Sequence, residues 1–139
     1  MSIDKFTLKL ISMDTLTFIT LPGVYAICRF DARDDIPDWV FQSSFYNISK
    51  SEDELSIICE AHLVPEDTKA DRDWKLMRLE GTLDLSLTGV TARFSAPLAK
   101  HDVNLCVLAT YDTDYIMVKN KKLMQAQTVL RQAGFVVVA

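Results

Sequence analysis

The order of hydrophobic segments in the second half of the chain restricts the fold more than any other feature of the sequence. From residue 74 onward, segments with the two-residue period of a strand alternate with segments that have the 3.6-residue period of a helix. The predicted elements are strand 74–81, helix 90–100, strands 103–111 and 115–119, helix 121–133 and strand 135–138. This β-α-β-β-α-β order predicts a ferredoxin-like unit, in which both helices cover one face of a four-stranded sheet.

The helix predicted at 121–133 has a start signal and a stop signal. Asn120 is expected to be the N-cap residue, and Gly134 is expected to take the left-handed conformation just after the last turn. The apolar positions between them fall on one face: Leu123, Ala126, Leu130 and Ala133.

The helix predicted at 90–100 has a clear apolar face but also contains a proline. Val90, Phe94 and Leu98 line one face at four-residue spacing. Pro97 lies inside this pattern and removes a backbone hydrogen bond to Arg93, so we expect a kink or a break there.

The first half of the chain follows a less regular version of the same plan. Strands are predicted at 6–10, 24–30, 45–50 and 55–60, with a short helical stretch at 39–42. Residues 64–73 are polar and show no periodicity, which is typical of a connection. We therefore predict an α+β protein of two ferredoxin-like units packed together: an irregular or truncated N-terminal unit at 1–64, a linker at 65–73 and a C-terminal unit at 74–139.

Charge and hydrophobicity argue against two kinds of partner. The net charge is −4 and the 15 lysine and arginine residues are scattered, so no basic patch indicates a nucleic acid. No apolar run approaches the roughly 18 residues that cross a bilayer, and the N-terminal residues lack the features of a signal peptide. The predicted location is the cytoplasm, without a membrane partner.

The residues that catalysis or a cofactor would need form no known arrangement. His62 and His101 have neither metal-ligand spacing nor a neighbouring nucleophile motif, and the four glycines form no phosphate-binding loop. Cys28, Cys59 and Cys106 each lie in an apolar, strand-like segment, where buried thiols are expected. We predict no catalytic residue, no metal site and no cofactor.

Gly89 lies at the predicted start of helix 90–100. Free backbone N–H groups and the positive end of the helix dipole favour an anion there, and a glycine allows a ligand to approach the backbone closely. In the alternative interpretation, Thr88 caps the helix and Gly89 only eases the turn.

The stretch 109–118, ATYDTDYIMV, places carboxylates and threonines between two apolar strands. Asp112 has the position of an ordinary turn residue, but Asp114 enters a strand, where aspartate is depleted. A carboxylate there could bind an ammonium group through a charge-assisted hydrogen bond, or it could simply belong to the turn. Together with the helix start at Gly89, Asp114 would supply the two poles of a site for an α-amino acid.

Two stretches of the second half, 85–99 (LSLTGVTARFSAPLA) and 103–118 (VNLCVLATYDTDYIMV), resemble bacterial proteins with two ACT units, the group related to the CASTOR arginine sensors. The similarity extends into the first half at 25–29, 37–39 and 54–57. The resemblance implies a small-molecule site at an inter-unit or inter-subunit interface, and an amino acid whose binding is passed on to a protein partner. Carried over by position, the ligand-binding residues are Gly89, Val90, Thr110, Thr113 and Asp114.

The leading hypothesis is a non-catalytic regulatory protein, expected as a homodimer, that binds a free amino acid at the interface of ACT units. One alternative is a structural dimerisation module without ligand, in which edge strands pair between subunits. A second alternative is a small enzyme using the same cleft with Asp114 or Asp84 as general base, which would need a further catalytic group that the sequence does not identify.

Overall fold

The computed structural model describes residues 16–80 and 89–139. They form two compact units: an N-terminal unit, 22–75, and a C-terminal unit made of 16–21, 76–80 and 89–139. This division differs from the predicted one, because residues 16–21 group with the second half of the chain. The predicted linker 65–73 also contains the first residues of a strand that begins at Ala70. The strand predicted at 6–10 lies outside the described residues.

The described residues contain, in chain order, eight strands and two α-helices. The strands are β1 Thr17–Thr20, β2 Tyr25–Phe30, β3 Asn47–Lys50, β4 Leu55–Glu60, β5 Ala70–Leu79, β6 Leu105–Ala109, β7 Asp114–Lys119 and β8 Val136–Val138. The helices are α1 Val90–Lys100 and α2 Leu123–Gln132. Short 3-10 helices lie at Asp38–Gln42, Ala61–Leu63 and Asn120–Lys122. The α+β class and the ferredoxin-like arrangement are confirmed.

The N-terminal unit is an antiparallel sheet of order β3-β4-β2-β5. Apolar residues of β2 and β4 alternate toward one face and form its core with residues from the 3-10 segment and the following loops. The buried members are Ala26, Cys28, Val40, Leu55, Ile57, Cys59 and Val64. Where a complete unit would have α-helices, the described residues form only two 3-10 segments, so the expected irregularity of this half is observed.

The C-terminal unit contains a strand that the sequence analysis did not predict. Strand β1 lies between β5 and β8, antiparallel to β5 and parallel to β8, and gives the order β6-β7-β5-β1-β8. Phe18 of β1 is fully buried, with its ring centroid 5.5 Å from Phe94 of α1 and 5.3 Å from Phe135. The first strand of this unit therefore precedes the N-terminal unit in sequence.

Helix α1 has the predicted limits, but it is not broken at Pro97. Phe94, three residues before the proline, and Leu98, directly after it, are both fully buried in the core of the unit. Their packing offsets the one backbone hydrogen bond that proline removes. The Pro97 carbonyl still accepts from the backbone N–H of His101 at the end of the helix.

Helix α2 begins later than predicted, and Asn120 is not its N-cap. Residues Asn120–Lys122 form a 3-10 turn, so the helix starts at Leu123 with Lys122 in the cap position. Short 3-10 turns are common at helix ends. The left-handed Gly134 is confirmed by its φ of +99°. Cys28 and Cys59 are buried free thiols as predicted, whereas Cys106 is only half-buried.

Candidate functional site

The turn between β6 and β7 is held by hydrogen bonds between two threonines. The backbone N–H of Thr110 donates to the Thr113 carbonyl at 2.9 Å, and the Thr110 hydroxyl donates to the same carbonyl at 2.9 Å. In return the Thr113 N–H donates to the Thr110 hydroxyl oxygen at 3.2 Å. Threonine at the first position of such a turn fixes its backbone without a glycine.

Thr113 also ties this turn to the end of β5. Its side chain is buried, and its hydroxyl donates to the backbone carbonyl of Leu79 at 2.9 Å. Both threonine hydroxyl protons therefore bind backbone carbonyls of the protein. Their structural effect is to fix the position of the next residue, Asp114.

Asp114 is the first residue of β7 and pairs with Ala109, the last residue of β6. Its side chain is half-buried, and this burial raises the pKa of the carboxyl group above its ordinary value of 3.8. Within 16–80 and 89–139, no side chain forms an ion pair or hydrogen bond with the Asp114 carboxylate. A partly desolvated carboxylate in this state gains more from an external cation than an exposed one does.

Gly89 and Val90 form the start of α1. Gly89 occupies the cap position with a left-handed φ of +79°, and the first helical hydrogen bond runs from the Arg93 N–H to its carbonyl at 3.1 Å. The N–H groups of residues 90–92 precede this bond and have no helical partner. The Val90 side chain is buried in the core, so only its backbone faces a ligand.

A side chain at position 89 would point into open space. Among the described residues, nothing lies within 4 Å of the position that a Cβ would take on Gly89. The described residues therefore leave room for a ligand beside the Gly89 backbone, as an anion site at the helix start requires. Thr88, the alternative cap, lies outside the described residues, as does Asp84.

The five predicted ligand residues all belong to the C-terminal unit and form two groups. The hydrogen bonds above bring Thr110, Thr113 and Asp114 together, whereas Gly89 and Val90 stand at the helix start. The first group is tied to the end of β5 through the Leu79 carbonyl, whereas the segment 81–88 that precedes Gly89 lies outside the described residues. No sequence pattern indicates the role of the Leu79 carbonyl, because a backbone acceptor has no sequence signature.

A cavity of about 380 Å³ lies in the N-terminal unit and includes none of the predicted ligand residues. Its lining contains four carboxylates and one guanidinium, from residues 31–34 and 52–53. In the part of the chain that the structure describes, no group of three histidine, cysteine or acidic side chains could hold a metal ion. No helix there is long and apolar enough to cross a membrane.

Two family models match the chain. A model described as an ACT domain matches residues 69–132, and a second, described as an N-terminal domain, matches residues 23–67. The border between the matches falls inside the predicted linker 65–73. The second half of this chain is thus similar to an ACT domain. A comparison with curated proteins finds no match.

Solved structures share the fold over most of the chain. A protein from Agrobacterium tumefaciens is 28% identical with a TM-score of 0.84, covering 89% of this chain and 92% of its own. A Vibrio cholerae protein of unknown function, described as a "possible transport protein", is 22% identical with a TM-score of 0.72, covering 88% and 92%. The ligand-free regulatory subunit of aspartate kinase from Thermus thermophilus is 13% identical with a TM-score of 0.54, covering 80% and 93%.

Proposed function

We propose that this protein is a non-catalytic regulatory protein that binds a free amino acid through its ACT domain. The similarity to a regulatory subunit of aspartate kinase supports a regulatory role. The relationship to the CASTOR group, the homodimer and the cytoplasmic location remain predictions of the sequence.

The observation that carries this proposal is the state of Asp114. Burial disfavours its charged form, and the described residues supply no cation to compensate. Yet the two threonines and the Leu79 carbonyl fix the turn that presents it. A fixed, partly desolvated and uncompensated carboxylate is the arrangement expected of a group that pairs with a ligand cation.

In the proposed complex, the ammonium group of the amino acid binds the Asp114 carboxylate. The ligand carboxylate accepts hydrogen bonds from the backbone N–H groups that follow Gly89 at the start of α1. Thr110 and Thr113 position Asp114, and their oxygen atoms remain able to accept from the ammonium group. Which amino acid binds depends on contacts of the ligand side chain, and the Asp114 carboxylate and the start of α1 do not determine these contacts.

Regulation requires that the ligand bind two states of the protein with different affinity. The two poles lie on separate segments, the helix start and the β6–β7 turn, so a ligand that binds both restrains them together. We propose that this restraint changes the surface that the ACT domain presents to a protein partner.

A thermal-shift panel of the common amino acids tests the proposal. Ligand at about a thousand times its Kd stabilises the folded protein by about 4 kcal/mol, which is a clear shift in melting temperature. We expect one amino acid or one chemical class to stabilise the wild type, and the stabilisation to be lost in Asp114→Asn. Asp112→Asn is the matched control, because it removes a carboxylate two residues away in the exposed turn.

Equal melting curves with every amino acid would contradict amino-acid binding and favour the dimerisation module. Stabilisation that survives Asp114→Asn would contradict this site. Turnover of the ligand by the wild type, abolished in Asp114→Asn, would instead establish the small enzyme.

A further inference from the structure

The two units carry opposite formal charge. The N-terminal unit contains twelve acidic and six basic residues, whereas the described residues of the C-terminal unit contain four acidic and seven basic ones. Opposite charges on separate parts of one chain make two copies electrostatically complementary to each other. One local group of charges on each unit indicates which surfaces would meet.

On the N-terminal unit the acidic charge surrounds the cavity of about 380 Å³, which we call the acidic groove. Asp31 and Asp34 form one wall, Glu52 and Asp53 form the other, and all four side chains are exposed. Arg33 is the single cation in the lining. In the described part of the chain, none of the four groove carboxylates forms an ion pair.

Local hydrogen bonds fix both walls of the acidic groove. The Asp31 N–H donates to the Asp34 carboxylate at 3.0 Å, and the Asp53 N–H donates to the hydroxyl of Ser51 at 3.2 Å. Arg29 donates to the Asp53 carbonyl at 3.2 Å. The backbone that carries the acidic side chains is therefore preorganised before any partner binds.

On the C-terminal unit three lysines lie where α1 ends and α2 begins, with one carboxylate, Asp102, at the end of α1. Lys100 lies in the last turn of α1, and Lys121 and Lys122 directly precede α2. Gln125 of α2 donates to the His101 carbonyl at 2.9 Å and holds these two helix ends together. We call Lys100, Lys121 and Lys122 the lysine patch.

The start of α2 adds further positive potential to the lysine patch. The first turn of the helix contains no acidic residue, so nothing there compensates the positive end of the helix dipole. The side chain of Met124, two residues after Lys122, is 81% exposed. A flexible apolar side chain within a charged surface is typical of a contact with another protein.

We propose that the lysine patch of one copy docks on the acidic groove of a second copy, with Met124 as the apolar contact beside the lysines. This inference rests only on the homodimer predicted from the sequence and names its surfaces. It is independent of amino-acid binding. Because the charges lie at an exposed surface, salt weakens the association.

Sedimentation velocity at low and high salt tests the interface. We expect wild-type dimers at about 0.05 M NaCl and at least tenfold weaker association at about 0.5 M NaCl. The variants Lys121→Glu/Lys122→Glu and Glu52→Lys/Asp53→Lys should each be monomeric. Mixed in equal amounts, they should associate again, since the reversed surfaces are complementary to each other.

The control is Arg131→Glu, which makes the same kind of charge reversal at the opposite end of α2 and should leave association unchanged. Circular dichroism of each variant verifies that it is folded. A monomeric wild type at low salt, dimers that persist in both double variants, or folded variants that stay monomeric when mixed would overturn the interface.

The thermal-shift panel separates this inference from the proposed function. Folded monomeric variants that are still stabilised by an amino acid show that the interface and the ligand site are independent. A wild type that binds an amino acid but is monomeric contradicts only the interface.

Discussion

Replacing Gly89 by alanine tests the accessible helix start, and Gly134→Ala is its matched control. Both glycines have a left-handed backbone, with φ of +79° and +99°, and at both positions the described residues leave open space for a Cβ. A non-glycine residue in this conformation costs about 1 to 2 kcal/mol. Each variant should therefore lose this free energy of unfolding, or about 3 to 8 °C in melting temperature.

The two variants should differ only in the presence of ligand. A methyl group at position 89 would stand where the ligand carboxylate approaches the backbone, whereas position 134 follows α2 and has no proposed contact with ligand. We expect Gly89→Ala to bind the amino acid at least tenfold more weakly, a loss of about 1.4 kcal/mol, and Gly134→Ala to bind as the wild type does.

Titration calorimetry on the wild type and both variants measures this difference directly, with thermal unfolding of each ligand-free protein as the stability reference. Wild-type affinity in both variants would refute the idea that the ligand contacts the backbone at the start of α1. Equal and large losses of affinity in both would show that reduced stability, rather than the added methyl group, weakens binding.

Three further predictions concern the residues that build the site and its core. Phe18→Ala should lower the free energy of unfolding by about 3 to 5 kcal/mol in urea titration, because its ring is fully buried; a loss below about 1 kcal/mol would show that β1 is not part of the core. Thr113→Val should lower the free energy of unfolding by about 1 to 3 kcal/mol and weaken ligand binding, because it leaves the Leu79 carbonyl without its hydroxyl donor. Thr113→Ser keeps this hydrogen bond and should have the stability and the ligand affinity of the wild type. The pKa of Asp114 is raised in the folded protein, so its ionised form lowers the free energy of unfolding. This destabilisation is absent below pH 3.8, the ordinary pKa, and fully present above the raised pKa. Asp114→Asn should therefore be more stable than the wild type at neutral pH, with a difference that disappears as the pH falls through this window; a difference that does not change with pH would contradict an uncompensated carboxylate.

The sequence predicted the elements whose signals are local. The limits of α1 at residues 90 and 100 follow from the four-residue spacing of its apolar face, and the end of α2 follows from Gly134. Strand β4 has the predicted limits, 55–60, because its apolar run lies between the polar turn 51–54 and Glu60. In each case the side-chain pattern and the final burial agree.

Elements that depend on distant partners were missed or misplaced. Strand β1 has only four residues, and its place between β5 and β8 depends on partners about sixty and more than a hundred residues away. Pro97 does not break α1 because tertiary packing of Phe94 and Leu98 outweighs a local rule. Strand β5 begins at Ala70, within a polar segment that has the composition of a linker but pairs with β2.

The candidate site was only partly readable from the sequence for a similar reason. The sequence indicates Asp114 because aspartate is unusual at the start of a strand. The hydrogen bonds of Thr110 and Thr113 assign these residues to holding the turn, and such bonds depend on the position of a backbone carbonyl in β5. A residue type can suggest the chemistry of a site, whereas the partner of each hydroxyl follows from the fold.

A crystal structure of the protein with the amino acid that gives the largest thermal shift tests the central proposal most directly. We predict that the ligand ammonium group lies about 2.7 to 2.9 Å from the Asp114 carboxylate and that the ligand carboxylate accepts from N–H groups at the start of α1. An amino acid bound away from Asp114, or one whose carboxylate contacts side chains instead of the helix start, would contradict it.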